Sequence, residues 1–265
     1  MKPDCKYLFG LAYCLAVLTS VCLAGDKEIS ALMVHASQLS DIWDNNAPAF
    51  HLKAALTFYD EKGTTQGTYT ESWVSGGQWR RETVIGAFHR IEVARENKRW
   101  LLDSNEDMPI TANLPQLRLA PWRMDLTLWK SGKLEEKSWH GQALRCVVTG
   151  VYPGANAFCV DKVTGALAAE VESVKDEERS VNEICEYSDY QRFGEKMFPH
   201  LVRCLDDNKL KLEIRVAELE TANNLSAELF APLDGAKESF NCRGIIQVPK
   251  PISSPDPSLP SLVNP

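Results

Sequence analysis

Cys146 and Cys159 lie in two apolar runs separated by Tyr152-Pro153-Gly154. That tripeptide is a turn signal; it folds the two runs into a hairpin and sets the thiols opposite each other. Oxidation to a disulfide is the chemistry this spacing offers, and closing a loop of that length contributes about 3 kcal/mol in the chain-entropy model. Cys185 and Cys204 are nearly equidistant from Phe193-Gly194 and form a candidate second bridge. Cys242 comes after the last strand-like segment. A free thiol, a bond to another of these cysteines and a bond to a partner chain are all open to it. With no CxxC pair in the chain, the cysteines read as structural staples and not as a redox centre.

Other chemistry finds little footing. His35, His51, His89, His140 and His200 stand singly, outside any HxxxH, HExxH or Cys/His grouping at metal-ligand spacing. There is no G-x-S-x-G elbow, phosphate-binding glycine loop or dinucleotide fingerprint. Glu135-Glu136, Asp176-Glu177-Glu178 and Asp206-Asp207 fall where turns are expected, so these carboxylates read as solvated and not as a glycosidase pair. The expectation is a protein without catalytic residues, metal or cofactor; a hydrolase with an unrecognised site is the minor alternative. Basic residues number 29 against 36 acidic, a net charge of −7, with no basic stripe. Nucleic acid demands clustered Lys and Arg and is therefore not an expected partner.

At the start, Lys2 and Lys6 flank Asp4, and no charged residue occurs from Tyr7 to Ala24. A positive segment ahead of an apolar one is the pattern of a secretion signal, here residues 1–24, with Cys22 and Ala24 as the small residues before the cut. The alternative is an uncleaved membrane anchor, because the run approaches the roughly 20 residues that span a bilayer. Lipidation at Cys14 or Cys22 is disfavoured by the bulky Tyr13 and Val21 before them. Export to an oxidising compartment lets the remaining cysteines pair.

The elements that must position any site are read from periodicity. Ile29, Leu32, Met33, Ala36, Leu39 and Trp43 have helical spacing and predict an amphipathic helix over 29–44. From Phe50 the period becomes two, with strands expected at 50–59, 68–74, 78–85, 88–95 and 98–103. Residues 108–129 break the alternation with three prolines, and Pro115 and Pro121 suit the first turns of two short helices. Strands return at 134–151, 155–161, 165–174, 179–191, 196–206 and 209–220. In the last, Leu210, Leu212, Ile214 and Val216 make an apolar face, and Lys209, Lys211, Glu213 and Arg215 a charged one. Residues 246–265, rich in Pro and Ser, read as a disordered tail after one domain at 25–245.

The fold class expected is mainly β with few helices (α+β): a curled, antiparallel, incomplete β-barrel with an N-terminal helix and a short helical insert. Phe50, Phe58, Tyr69, Trp73, Trp79, Phe88 and Trp100 concentrate on the early meander. Core packing against the first helix is the plain account. A lined cavity is the sharper one, because a sheet that curls without closing needs something to cover its apolar face, and 108–129 is the natural lid. Candidate lining residues are Leu52, Phe58, Trp73, Trp79, Leu117, Trp122, Leu212 and Ile214.

This order of elements is similar to the periplasmic lipoprotein-carrier superfamily, the LolA/LolB-like folds. The passage Val216-Ala217-Glu218-Leu219 through Asn223-Asn224-Leu225-Ser226-Ala227-Glu228-Leu229-Phe230-Ala231-Pro232 looks like that superfamily's closing strand and the leucine, phenylalanine, proline passage after it. Phe50 to Asp60, Gly67 to Arg81, Cys159-Val160-Asp161-Lys162-Val163-Thr164-Gly165 and Leu229 to Gly235 resemble the N-terminal domain of acidobacterial energy transducers of the TonB type. The resemblance covers about residues 29 to 245 and departs at the end, where that family continues into a TonB domain. It implies a half-barrel enclosing an apolar cavity, and a periplasmic carrier of a lipid or lipoprotein acyl chain. The alternative it implies is a cell-envelope interaction module, related to TonB-type transduction, that docks a protein partner and has no ligand of its own.

Overall fold

The computed structural model describes residues 27–44, 47–75, 77–96, 98–104, 109–121, 129, 132–150, 156–175 and 180–239. The expected signal segment, the turn at Tyr152-Pro153-Gly154, Trp122, Cys242 and the proline-rich tail lie outside these residues. After helix α1 (27–40) come β1 (Phe50–Asp60), β2 (Gly63–Ser75), β3 (Gln78–Ile85), β4 (Phe88–Arg95) and β5 (Lys98–Asp103). The insert holds a 3-10 turn, Ile110–Asn113, and helix α2, Leu114–Leu119. The second run of strands is β6 (Lys133–Trp139), β7 (Gln142–Thr149), β8 (Asn156–Asp161), β9 (Leu167–Lys175), β10 (Ser180–Phe193), β11 (Lys196–Asp206) and β12 (Lys209–Thr221). A 3-10 turn at Ala227–Phe230 and the two-residue β13 (Lys237–Glu238) come last among the described residues.

All thirteen of these strands form one antiparallel, curled, open sheet in the order β13-β5-β4-β3-β2-β1-β12-β11-β10-β9-β8-β7-β6. Each strand pairs with its sequence neighbour except at two places, where β12 closes onto β1 and β13 onto β5. On β1, Phe50, Leu52, Ala54, Leu56 and Phe58 are buried and alternate with more exposed residues, because successive side chains of a strand point to opposite faces. Register carries that inner face sideways: Phe50 is opposite Trp73 and Ala54 opposite Tyr69 on β2, while Leu56 faces Ile214 and Phe58 faces Leu212 on β12.

One end of the trough is filled by the protein itself. Helix α1 turns Ile29, Met33 and Ala36 into the main core, and Ile42 and Trp43 join them there. The Trp43 ring meets Phe50 edge-on at 5.9 Å and Phe198 at 5.7 Å, and Phe50 stacks on Trp73 at 5.5 Å. These separations lie in the favourable range for aromatic pairs. Two smaller apolar clusters sit on the opposite face of the sheet. Leu144, Cys146, Ala157, Cys159 and Ala169 form one; Ile91, Val93 and Phe230 form the other, covered by Leu229 and Leu233 of the C-terminal segment.

Both expected disulfides are present, joining residues that are direct cross-strand partners, Cys146 to Cys159 across β7–β8 and Cys185 to Cys204 across β10–β11. Two expectations are corrected. The single strand expected at 134–151 is a hairpin, β6 and β7, turned by His140 (φ 48°) and Gly141 (φ 80°). Two successive positive φ values are what a two-residue hairpin loop requires, and glycine supplies the second without steric cost. The first helix stops at residue 40 and not at 44, because the Asp41 carboxylate accepts the Trp43 backbone N–H at 2.9 Å and forms a competing local turn.

Paired Cys→Ser substitution at either bridge is expected to lower unfolding stability by about 3 kcal/mol, read as a lowered urea midpoint. A midpoint that does not move on reduction of the wild-type protein would show that the bridges add nothing.

Candidate ligand cavity

The described part of the insert between β5 and β6, residues 109–121, is a strap tied to both walls of the trough. On one side Arg90 of β4, held on the Asp103 carboxylate by Nε (2.7 Å) and Nη2 (2.9 Å), donates from Nη1 to Asn113 Oδ1 at 3.3 Å. On the other side Arg118 of α2 donates from Nη1 to Glu170 Oε2 of β9 at 3.3 Å and from Nη2 to Glu183 of β10, and Glu172 lies 3.6 Å away. Pro115 sits in the first turn of α2 as expected, where its missing N–H costs nothing. Leu119 and Ala120 anchor the insert in the main core.

Beneath the strap is a cavity of about 600 Å³. Its apolar walls are Phe58, Ile85, Phe88 and Leu212 from the sheet and Pro109 and Leu114 from the insert, with Cys204 of the second disulfide. Tyr59, Asp60, Thr65, Thr111, Arg118, Glu183 and Lys211 bring polar atoms to it. A largely apolar hollow of this size with a few polar groups is the usual form of a small-molecule site.

Of the candidate lining residues, Phe58 and Leu212 line this cavity. Leu52, Trp73 and Ile214 are buried in the solid part of the core, at 0%, 1% and 0% exposure. Trp79 packs at the margin of that core, with the Arg81 guanidinium 4.0 Å and that of Arg99 5.5 Å from its ring centroid. Leu117 faces outward at 41% exposure, and Trp122 lies outside the described residues. Periodicity identified the inner face but could not tell which end of it the aromatic rings fill. Ile85, Leu114 and Arg118 were missed as lining residues, and Phe88 was noted only among the aromatic residues of the early meander; Ile85 does alternate on its strand, and that is the signal available for it.

Lys211, expected on the outer charged face, is a further correction. Cys204 pairs with Leu212 and Leu205 with Leu210, which leaves Lys211 as the extra residue of a bulge. A bulge re-aims the side chain it carries, and here it turns Lys211 to the cavity rim.

Charge is concentrated where the strap meets β9 and β10. One guanidinium, Arg118, faces the carboxylates of Glu170, Glu183 and Glu172, and Tyr187 Oη donates to Glu170 Oε2 at 3.3 Å. Burial raises the carboxyl pKa of Glu170 and of Glu183, and Arg118 opposes the rise in both without cancelling it. For Arg118 burial works against the charge, and the attraction of Glu183 and Glu170 outweighs it. A second buried group lies on the inner face of β2 and β3. There Tyr69 Oη donates to Glu71 Oε2 at 2.7 Å and Arg81 Nε to Glu71 Oε1 at 3.0 Å. Burial and the Glu71 charge push the Tyr69 hydroxyl well up, so it remains a donor. Glu183, Cys185 and Cys204 cluster closely enough to suggest a metal site, but the two sulfurs are bonded to each other and offer no thiolate.

No family model matches the chain, and no curated protein matches it in sequence. Solved structures do match in shape. A DUF1329 family protein from Desulfovibrio piger is similar with a TM-score of 0.51 at 11% identity, over 78% of this chain and 97% of that one. An outer membrane lipoprotein-sorting protein domain from Vibrio parahaemolyticus has a TM-score of 0.48 at 11% identity, over 79% and 97% of the two chains. A LolA superfamily protein from Nitrosomonas europaea has 0.47 at 11% identity, over 76% and 96%. The likeness to the DUF1329 family protein is one of fold, the open curled sheet.

Arg118→Met leaves the facing carboxylates without a counter-charge and is expected to cost about 3–5 kcal/mol of stability. The folded-state pKa values of Glu170 and Glu183 are already raised, so their contribution is greatest below the usual carboxylate range and is lost as pH rises through the raised values. Removing the guanidinium raises them further, so the loss relative to wild type should be larger at pH 8 than at pH 5. Urea unfolding of both proteins at the two pH values measures this; an equal loss at both would contradict the assigned charges.

Proposed function

We propose that this protein is a non-enzymatic carrier of the periplasm or cell envelope that holds an apolar ligand, a lipid or lipoprotein acyl chain, beneath the strap. The observation that carries the reading is the apolar cavity of about 600 Å³ left between Phe58, Ile85, Phe88 and Leu212 of the sheet and Pro109 and Leu114 of the insert. A core packed to ordinary density leaves few voids larger than a water molecule. A hollow of this size, in a domain whose opposite end is filled solid with aromatic rings, therefore supports a site kept open for a guest. The apolar run at Tyr7 to Ala24 supports export, and the paired cysteines suit an oxidising compartment.

Delipidated protein is expected to bind a fluorescent fatty acid, and native mass spectra of the protein as purified should show bound lipid. Leu114→Trp, which fills the cavity from the insert side, should weaken uptake at least tenfold without loss of the folded circular-dichroism signal. Absence of both lipid and uptake would end the carrier reading.

The second reading, an envelope interaction module, draws support from β13, the edge strand of the sheet, which precedes the proline-rich residues 246–265 in the sequence. Deleting 246–265 should leave fatty-acid uptake unchanged on the carrier reading. If the deletion abolishes crosslinking to an envelope protein in cells while uptake by the intact protein is absent, the module reading replaces it.

A further inference from the structure

Two features of the cavity, its volume and its charges, narrow the occupant, and both rest on the carrier reading. A methylene takes roughly the room of a water molecule, about 30 Å³, so 600 Å³ accommodates about 20 such groups. One acyl chain of ordinary length fits. Two chains would need roughly 1000 Å³ on the same measure, so a second chain would lie at the open side of the cavity.

Among the described residues, four charged side chains line the cavity: Asp60, Arg118, Glu183 and Lys211. Exposed Asp60 accepts the Lys62 backbone N–H on Oδ1 at 2.7 Å in closing the β1–β2 turn and makes no ion pair with a described residue. Arg118 and Glu183 are paired with each other. Lys211 makes no ion pair or hydrogen bond with any described residue, although it is half-buried and set at the rim by the bulge in β12. A lysine at the rim of an apolar hollow can lay its methylenes along the wall and keep its ammonium in water, where it is free to take an anion. A chain threaded beneath the strap, its polar end at the rim, would bring an anion to that ammonium.

We infer that the ligand is a single-chain amphiphile with an anionic head, carboxylate or phosphate, whose charge is met by Lys211 at the cavity rim. A ligand with further chains would leave them at the open side of the cavity, in water, and a neutral single-chain amphiphile would leave the lysine unmatched.

Binding of four probes to the delipidated full chain at pH 7.5 tests this: palmitate, single-chain lysophosphatidic acid, hexadecanol and a diacyl phosphatidylglycerol. At least one of the two anionic single-chain probes should bind about tenfold or more tighter than the alcohol, and which one does so separates carboxylate from phosphate. Lys211→Met should erase that preference by weakening the anionic probe far more than hexadecanol, and Lys211→Arg should restore it. Equal binding of alcohol and anion to wild type would overturn the inference and leave the carrier reading standing, as would a Met variant that weakens all probes alike. Diacyl lipid bound as tightly as palmitate would do the same. If no probe binds, the inference falls together with the carrier reading.

Discussion

The inner face of the sheet carries one continuous apolar core from β2 round to β8, with a few buried charges set into it, and keeping that face from water is the constraint on which the other features depend. A curled sheet with free edges cannot cover its own concavity. The pairing of β1 with β12 joins two meanders of opposite chain position into one surface and aligns Leu56 with Ile214 and Phe58 with Leu212. Each large side chain fully buried there contributes roughly 1.5–3 kcal/mol. Helix α1 and the Trp43, Phe50, Trp73 and Phe198 rings cover one end by filling it. The insert covers the other end by bridging it, and so leaves a hollow.

The buried charges are a consequence of that difference. Side chains that fill a core need no direction, whereas a segment laid across a gap must be held on both sides. Arg90 with Asn113, and Arg118 with Glu170 and Glu183, supply directed bonds from opposite walls of the trough. Buried ion pairs add little net stability over apolar packing, since desolvation offsets most of the attraction. Their effect here is positional: they determine where the strap lies and therefore how much room is left beneath it. The Tyr69-Glu71-Arg81 group on the adjacent strands is satisfied within itself.

Much of this architecture was legible in residue order. Alternation on β1 and helical spacing at Ile29, Met33 and Ala36 are local patterns, and both disulfides could be read from turn positions. The site was less legible. Two of the eight candidate residues, Phe58 and Leu212, line the cavity, while Leu52, Trp73 and Ile214 lie in the packed end. All five share one face of the sheet, so no period separates them. What separates them is which ring from a distant element lies above each.

Taken alone, the sequence determined most strands and the first helix, the face β1 turns inward, and the cross-strand cysteine pairs, because these depend on near neighbours and on a side-chain period of two. Tertiary structure decided the rest. The order of strands, the division of the trough into a filled and a hollow end, the burial of Arg118 among carboxylates and the turning of Lys211 inward by a single-residue bulge each depend on contacts between segments far apart in the chain. Register at one bulge reverses the face of every side chain beyond it, and a periodic reading of β12 has no means to detect where that extra residue lies.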